Sequence, residues 1–313
     1  MTVFVQFHLL TPYPPSNPNR DDQGRPKQAS LGGHPRLRLS SQSLKRAVRE
    51  TAWFAEGLAE HTGKRTKRPA RWLLDQEGIE GRDDAALAKV LREITEAFGK
   101  IDEEKTKAEG IPVLTTLTFF SMPELYRMAS LCRDALAGTK LPKRGEIAQG
   151  VFQVVDGGID VAMFGRMLAG EKAGEKEALK VKQFEREAAV QVAHAFTTHR
   201  ALAEDDYYTA VDDLNKRDDT GAGHLDTAGF GSGVYYLYAC VNVDLLVKNL
   251  GGDTEARALA ARGLEALARA LATATPKGKQ NSHAHHPLAR HIRAELGTRQ
   301  PRHAITRADH AQR

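Results

Sequence analysis

Residues 2–11 constrain the fold more than any other segment, because apolar side chains recur there at every second position. Val3, Val5, Phe7 and Leu9 fall on one face, and a period of two in β-branched and aromatic residues predicts a β-strand. A stretch rich in Pro, Asn, Gly and Asp follows over residues 12–35. Loops of this length within a compact domain are unusual and are typically functional or disordered. The chain therefore begins with a strand that leads into a long loop.

A short strand that enters a helix is predicted over residues 36–63. Ser41 or Ser43 would cap this helix, and an apolar stripe begins at Leu44. Lys45 and Arg49 are four residues apart, so they share one helix face.

The rest of the chain mixes helices and strands, and no internal repeat is visible. Helical periodicity is found over residues 83–100, 121–137 (with Ser121 as cap) and 253–274. Strands are predicted over residues 151–168 and 234–247, while residues 184–196 fit either structure. Two segments look peripheral to the core: the Gly-rich, acidic residues 197–233 and the polar, His-rich tail from Thr275. Together these elements predict an α+β fold.

Positive charge is concentrated in two segments. Residues 1–50 hold eight Lys/Arg against three acids, and residues 276–313 hold eight against two. A basic segment on an otherwise balanced chain predicts a polyanionic partner. No run of apolar residues is long enough to span a membrane, and the N-terminus lacks the features of a signal peptide. With Cys132 and Cys240 far apart and in apolar surroundings, a cytoplasmic location and two buried thiols are expected.

The loop and the helix start carry the strongest candidate site. Basic and hydroxyl side chains at a helix N-terminus suit phosphate groups, and such contacts would accept any nucleotide sequence. Basic residues so close to a helix start also suggest an anion that compensates them. A solvated basic face is the alternative that the sequence leaves open. The residues concerned are Arg20, Lys27, Arg36, Arg38, Ser40, Gln42, Lys45, Arg46 and Arg49.

Two acidic or histidine-rich motifs admit a catalytic or metal-binding interpretation. Asp21 and Asp22 form a carboxylate pair of the kind that holds Mg²⁺ for phosphoryl transfer, but Arg20 and Arg25 flank the pair, and a structural role is favoured. The histidines at 283, 285 and 286 lack a carboxylate or thiolate at ligand spacing. The common nucleotide-, zinc- and serine-hydrolase motifs do not occur, so no cofactor or metal is expected.

Several blocks in one order resemble a known family. They are NRDDQGRPKQASLGG, RLRLSSQSLKRAVRE, GGIDVAMFGRM, AHAFTTH, DDYYTAVDDL, HLDTAGFGSGVYYLYACVNVDLL and TPKGKQNS. From about residue 2 to about residue 300, the chain is similar to the CasC-type backbone subunit of the type I-E CRISPR Cascade complex. The resemblance implies a single domain over residues 1–313 with an RRM-like or ferredoxin-like palm. It also implies a helical fingers insertion over residues 55–150 and a thumb hairpin over residues 197–229.

The resemblance also implies a role without catalysis. Copies of the subunit would assemble along one crRNA, which pairs with target DNA, and other proteins would complete the complex. These partners are a large subunit, a small subunit, a CasD-type subunit, the crRNA-processing endonuclease and a recruited helicase-nuclease. Residues that would grip the crRNA backbone are Arg20, Lys27, Ser40, Gln42, Lys45, Arg46 and Arg49. Arg166 and Met167 would lie near a displaced base, and Lys64, Arg65, Lys67 and Arg68 would help to hold target DNA.

Two expectations go beyond this assignment. The tail over residues 276–313 departs from the family pattern and looks truncated or frame-shifted, which calls the last strand of the palm into question. The competing function is that of an RNA-cleaving backbone subunit of the type III kind, in which Asp21 or Asp22 would be catalytic.

Overall fold

A computed structural model describes residues 1–82, 84–155, 157–168, 183–210 and 224–303. The chain divides into two compact units. Unit 1 comprises Met1–Gly57, Val190–Asn242 and the chain from Leu264 onward, and unit 2 comprises Leu58–Ala189 and Val243–Gly263. Among the described residues, no helix has the length and apolar character needed to cross a membrane.

The strands are numbered in chain order. They are β1 (Phe4–Ser16), β2 (Gln28–Leu31), β3 (His34–Leu39), β4 (Lys64–Thr66), β5 (Thr118–Phe120), β6 (Val190–Val192), β7 (Ala195–Thr197), β8 (Glu204–Ala210), β9 (His224–Asn242) and β10 (His291–Gly297). In unit 1 they form one sheet in the order β10-β1-β9-β7-β3-β2, and β6 and β8 also pair with β9. Among the described residues, the strand pairings of this sheet are all antiparallel.

The helices follow the same convention. They are α1 (Ser41–Arg49), α2 (Ala52–Ala55), α3 (Pro69–Leu74), α4 (Ala85–Glu96), α5 (Glu103–Glu109), α6 (Met122–Leu136), α7 (Arg144–Val151), α8 (Ile159–Phe164), α9 (Val243–Asn249), α10 (Thr254–Thr273) and α11 (Gln280–His283). An antiparallel sheet with helices in both units confirms the predicted α+β class. The helices expected near 83–100, 121–137 and 253–274 are also confirmed.

The strand β1 is covered on both faces, which its alternating pattern did not predict. Phe7 and Leu9 are buried on one face, as expected, but Gln6 and His8 on the other face are also buried. Hydrogen bonds offset the cost of burying these two polar side chains, because buried polar groups need partners. Tyr238 donates to Gln6 Oε1 (2.8 Å), and His8 Nδ1 lies 2.7 Å from the Tyr236 hydroxyl.

Two consecutive prolines end the regular pairing of β1. The ladder with β9 runs from Phe4 opposite Asn242 to Tyr13 opposite Gly233, and then its register shifts before Ser16. Pro14 and Pro15 occupy the shift. Proline has no backbone N–H to donate to a ladder and is confined to edges and bulges in sheets. The chain therefore leaves the sheet immediately afterwards, at Asn17.

The tail contains an edge strand of the main sheet, although the sequence had called the last strand into question. The strand β10 pairs with β1 from Phe4 opposite Gly297 to Leu10 opposite His291. Most of its side chains are exposed, so backbone hydrogen bonds rather than side-chain burial place it there. The alternation of His, Ile, Arg, Ala, Glu and Leu over residues 291–296 is a strand pattern that was overlooked.

Three further expectations need correction. Residues 151–168 contain the helix α8, not a strand, and the strand predicted over 234–247 ends at Asn242, where α9 begins. Both segments are rich in β-branched residues, but tertiary packing overrides that weak preference. The long loop over 12–35 is shorter than predicted, since β1 extends to Ser16 and β2 begins at Gln28. Residues 184–196, left open above, contain the strands β6 and β7.

The hairpin formed by β8 and the first part of β9 overlaps the residues expected for the thumb, 197–229. Its pairs run from Glu204 opposite Phe230 to Ala210 opposite His224. Residues 211–223, which the thumb prediction includes, lie outside the described residues.

Unit 2 has its own aromatic core. The rings of Phe98, Phe120 and Phe152 lie 5.1–5.7 Å apart, centroid to centroid. Cys132 is fully buried in the same cluster, and burial raises the pKa of its thiol to about 11. Cys240 is buried in unit 1. Both cysteines are free, which confirms the expectation of two buried thiols.

A buried ion pair crosses the unit 2 core. Arg166 Nη1 donates to both Glu124 carboxylate oxygens (2.9 and 2.6 Å), and both side chains are fully buried. Arg166 also donates to the carbonyls of Phe184 and Phe119. Glu124 accepts the Ser121 amide at the start of α6 (2.9 Å). The family resemblance implied that Arg166 lies near a displaced base of the RNA, but its guanidinium lies in the protein interior.

Replacing Glu124 with Gln is expected to lower the free energy of unfolding by roughly 3–5 kcal/mol, because the Arg166 charge would stay buried without its counterion. Urea unfolding followed by circular dichroism measures the effect. Glu109→Gln is the control: it removes the partner of Arg68 at the surface, where ion pairs contribute little. Equal losses in the two variants would contradict a special role for the buried pair.

Candidate nucleic-acid interface

The segment after β1, loop 17–27, folds into a compact turn. The Asp21 amide donates to the Arg25 carbonyl (2.9 Å), and Arg20 and Pro26 form an isolated bridge. The Asp21 carboxylate accepts the amides of Gln23 (3.0 Å) and Arg25 (2.9 Å). This is the usual way in which Asp stabilises a turn. Asp21 therefore shapes the loop.

The arginine partners expected for the acidic pair are different in the structure. Arg25 Nη2 donates to both carboxylate oxygens of Asp205 in β8 (2.9 and 3.1 Å), not to Asp21 or Asp22. The side chains of Arg20 and Asp22 are exposed. Sequence proximity suggested local pairing, but the fold places β8 beside the loop and supplies a better-aligned carboxylate.

Ser40, one residue before the first predicted cap, is the N-cap of α1. Ser40 Oγ accepts the Ser43 amide (3.4 Å), which is the hydrogen bond of an N-cap. The Ser40 amide donates to Asn19 Oδ1 (2.8 Å), and the Ser41 amide donates to His194 Nδ1 (2.9 Å). These bonds connect loop 17–27, α1 and the segment between β6 and β7.

The charge distribution along α1 differs from the expected one. Arg46 and Arg49 lie in its last turn, where the negative end of the helix dipole favours cations. They need no anion to compensate them, so that part of the sequence argument is wrong. The amides of Ser41 and Ser43 are already bonded within the protein and are not open to a phosphate.

The structure gives the predicted RNA contacts different accessibilities. Arg20, Gln42 and Arg46 are exposed, whereas Lys27, Lys45 and Arg49 are half-buried and Ser40 is buried. Arg46 Nε donates to Glu50 (2.6 Å), and this bond raises the pKa of Arg46.

Two hydrogen bonds bring the loop residues to the helix start. Besides the bond from Ser40 to Asn19, the Arg38 amide donates to the Lys27 carbonyl (2.8 Å). Arg20, Lys27, Ser40, Gln42 and Lys45 therefore belong to one connected part of unit 1, which we call the basic surface.

His194 lies beside the basic surface, next to Ser41 and Arg38, and the sequence did not predict it. Its Nδ1 accepts a backbone N–H, so the neutral ring carries its proton on Nε2. Arg38 Nη1 lies 3.5 Å from the same Nδ1. Burial lowers the pKa of His194, and the positive charges of Arg38 and Lys27 lower it further. Nothing in the charge pattern marks this residue, because only the folded chain brings it to the helix start.

The candidate DNA contacts of unit 2 fall into two groups. Lys64 and Arg65 are exposed on β4. Lys67 donates to the Thr115 carbonyl (2.6 Å), and Arg68 is bonded to Glu109. The first two candidates thus lie on a strand, and the other two are engaged within the protein. Met167 has an exposed fraction of 85%, in contrast with buried Arg166.

The comparisons with known proteins give a family. A family model described as CT1975-like protein matches residues 5–308. The chain belongs to the CT1975-like family. No curated protein matches the sequence.

Solved structures give relatives of this CT1975-like chain. One is a chain of a "CRISPR RNA-guided surveillance complex, pre-nicking", with 33% identity and a TM-score of 0.79, over 97% of this chain and 81% of that one. Another belongs to a "CRISPR RNA-guided surveillance complex", with 26% identity and a TM-score of 0.54, over 99% of this chain and 75% of that one. The resemblance found in the sequence is thus confirmed at the level of the family and of its structural neighbours.

Acid is expected to destabilise the CT1975-like chain partly through His194. The folded-state pKa lies below the ordinary value of 6.5, so the folded chain binds fewer protons than the unfolded chain. The contribution is complete above pH 6.5 and is lost as the pH falls through the folded-state pKa. His194→Asn keeps an acceptor for the Ser41 amide without a titrating group.

Urea unfolding at about pH 7.5 and about pH 5.5 tests this expectation. The wild-type chain should lose more stability between the two conditions than His194→Asn. Other histidines with lowered pKa values, such as His8 and His303, are the same in both proteins. An identical pH dependence would contradict the role of His194.

Proposed function

We propose that this CT1975-like chain is a crRNA-binding backbone subunit of a type I-E Cascade surveillance complex. The observation that carries the proposal is the similarity to a surveillance-complex chain over 97% of the sequence at 33% identity. The basic surface is the part of unit 1 that fits a polyanion. In this proposal the sheet of unit 1 is the RRM-like palm, the helices of unit 2 belong to the fingers, and the β8–β9 hairpin belongs to the thumb.

The basic surface would hold the phosphates of the guide RNA. Phosphate contacts position a strand without reading its sequence, which suits a subunit that must accept any guide. The proposed set is Arg20, Lys27, Ser40, Gln42, Lys45, Arg46 and Arg49. Exposed Met167 stays in the proposal as a contact near a displaced base. Arg166 does not, because its guanidinium is buried against Glu124.

Target recognition would come from base pairing between the guide and DNA, not from protein side chains. Lys64 and Arg65, exposed on β4, are the better candidates for DNA contacts, since Lys67 and Arg68 are engaged within unit 2. Further copies of the chain, large, small and CasD-type subunits and the crRNA-processing endonuclease would complete a cytoplasmic complex. A recruited helicase-nuclease would cut the DNA, so this subunit would have no catalytic step.

The competing proposal, RNA cleavage by Asp21 or Asp22, finds no specific support. The carboxylate of Asp21 accepts two backbone amides of its own turn, which gives it a structural task. Cleavage of complementary RNA in the presence of Mg²⁺, lost in Asp21→Ala or Asp22→Ala, would favour that proposal over the present one.

Co-expression with a CRISPR array and its processing enzyme tests the main proposal. A large particle with a high 260/280 nm absorbance ratio, containing mature crRNA of one length, is the expected result. A purified monomer that takes up no RNA when mature crRNA and the partner subunits are supplied would contradict it.

Lys45→Ala is expected to flatten the salt dependence of RNA binding. On a single strand, the slope of log affinity against log salt is about −0.7 per phosphate contact, so its magnitude should fall by about that amount. Fluorescence anisotropy at several salt concentrations measures the slope. Lys89→Ala, a change at an exposed lysine of α4, is the control and should leave it unchanged. An unchanged slope in Lys45→Ala would exclude this lysine as a phosphate contact.

A further inference from the structure

Loop 17–27 is fastened to the base of the β8–β9 hairpin by one buried amide. The side chain of Asn17 has an exposed fraction of 0%. Its Nδ2 donates to the Gly24 carbonyl in the loop (2.9 Å) and to the Gly229 carbonyl in β9 (2.8 Å). Both hydrogens of the amide are therefore used, one on each structural element.

The loop also lies against the hairpin without space for a side chain. A Cβ atom added at Gly229 would lie 3.0 Å from Pro26 Cδ and 3.6 Å from Arg25 Cα. Contacts near 3.0 Å are tighter than a packed interior normally accepts. The absence of a side chain at position 229 lets the two backbones approach each other.

An ion pair joins loop 17–27 to the other strand of the hairpin at the same place. We call these contacts of the loop with Gly229 and Asp205 the junction. Asp205, which accepts both hydrogen bonds from Arg25, is paired with Gly229 in the register of β8 and β9. The hydrogen bond from Asn17 to Gly229 and the ion pair of Arg25 with Asp205 therefore involve one residue pair of the hairpin. A cavity of about 440 Å³ beside this residue pair is lined by Arg20, Arg25, Asp205, Gly229 and Lys279, among others. Arg20, a proposed RNA contact, thus adjoins the junction.

We propose that Asn17 and the Arg25–Asp205 pair are positioning residues that hold the hairpin at a fixed angle to the RNA-binding loop. This inference rests on the proposed function, in which copies of the chain assemble along one guide, and it adds that the hairpin of one copy contacts the next copy. A hairpin whose base is fixed to the RNA-binding loop presents its surface to the next copy in one orientation. The junction then makes RNA binding cooperative between copies without touching RNA itself.

The first test needs no RNA. Hydrogen exchange of the free, full-length chain should show that Asn17→Ala speeds exchange by about 10-fold in both loop 17–27 and the described part of the hairpin, since buried carbonyls lose their donor. Asn249→Ala is the matched control, because Asn249 Nδ2 also donates to two carbonyls (3.0 and 2.9 Å), but within unit 2. Faster exchange in only one of the two segments would overturn the inference.

The second test separates positioning from RNA contact. Arg25→Asp and Asp205→Arg should each lower the Hill coefficient for binding to an RNA several sites long towards 1. Affinity for a short RNA that holds one copy is compared in the double variant Arg25→Asp/Asp205→Arg, whose net charge equals that of the wild-type chain, and should stay within about 2-fold at a fixed salt concentration. The double variant, with the charges exchanged, should recover the cooperativity of the wild-type chain.

Each other outcome of this second test has a definite meaning. Unchanged Hill coefficients in both single variants, or no recovery in the double variant, would overturn the inference. Loss of short-RNA affinity in the double variant would mean that Arg25 contacts RNA directly, which also overturns it. A wild-type chain that binds no RNA would refute the proposed function and the cooperative role, whereas the exchange experiment would still decide whether the loop and the hairpin are joined.

Discussion

The antiparallel ladder between β1 and β9 is the constraint on which the rest of unit 1 depends. It runs over ten consecutive residue pairs from Phe4 and Asn242 to Tyr13 and Gly233. Because the two strands lie far apart in sequence, the ladder joins the first residues of the chain to the segment that enters α9. It also gives β10 an edge to pair with, and it brings loop 17–27 beside the hairpin formed by the other end of β9. A shift of one residue would invert the faces of both strands.

The basic surface is held in place by hydrogen bonds between polar side chains and the backbone. Asn17, Asn19 and Asp21 each accept or donate a bond that fixes loop 17–27, and His194 accepts the first amide of α1. Their shared effect is to fix the backbone that carries the cations. Arg20 illustrates the result, since its side chain remains exposed on a loop whose backbone is well determined.

In unit 2, by contrast, a charged pair is buried and has a structural role. The Arg166–Glu124 pair is removed from solvent, and each partner also bonds to backbone groups. Burying two charges is costly, so the pair as a whole adds little net stability. Removing one partner is nevertheless strongly destabilising, because the other charge then stays buried alone. Its geometric consequence is clearer: it connects the start of α6 with residues 119, 166 and 184. The family resemblance placed this arginine near RNA, and only the packing of unit 2 reveals its structural role.

The sequence by itself determined the elements whose signals are local. The period of two in β1, the capping residue Ser121 and the apolar spacing of α4, α6 and α10 depend on neighbours within a few residues, and the structure contains all of them. The family followed in the same way from ordered motifs such as NRDD and SSQSLKR. The cation-rich segment from Arg20 to Arg49 was likewise evident before any fold was known.

Only the tertiary structure decided which of those side chains are accessible and what each one contacts. Burial turned Arg166 inward, and the approach of β8 gave Arg25 a partner 180 positions away. The site between β6 and β7 placed His194 at a helix start, and ladder pairing made a strand of an exposed, polar tail. The physical reason is common to all four cases: desolvation and hydrogen-bond geometry depend on groups that are distant in sequence, and no local pattern of residue types encodes them.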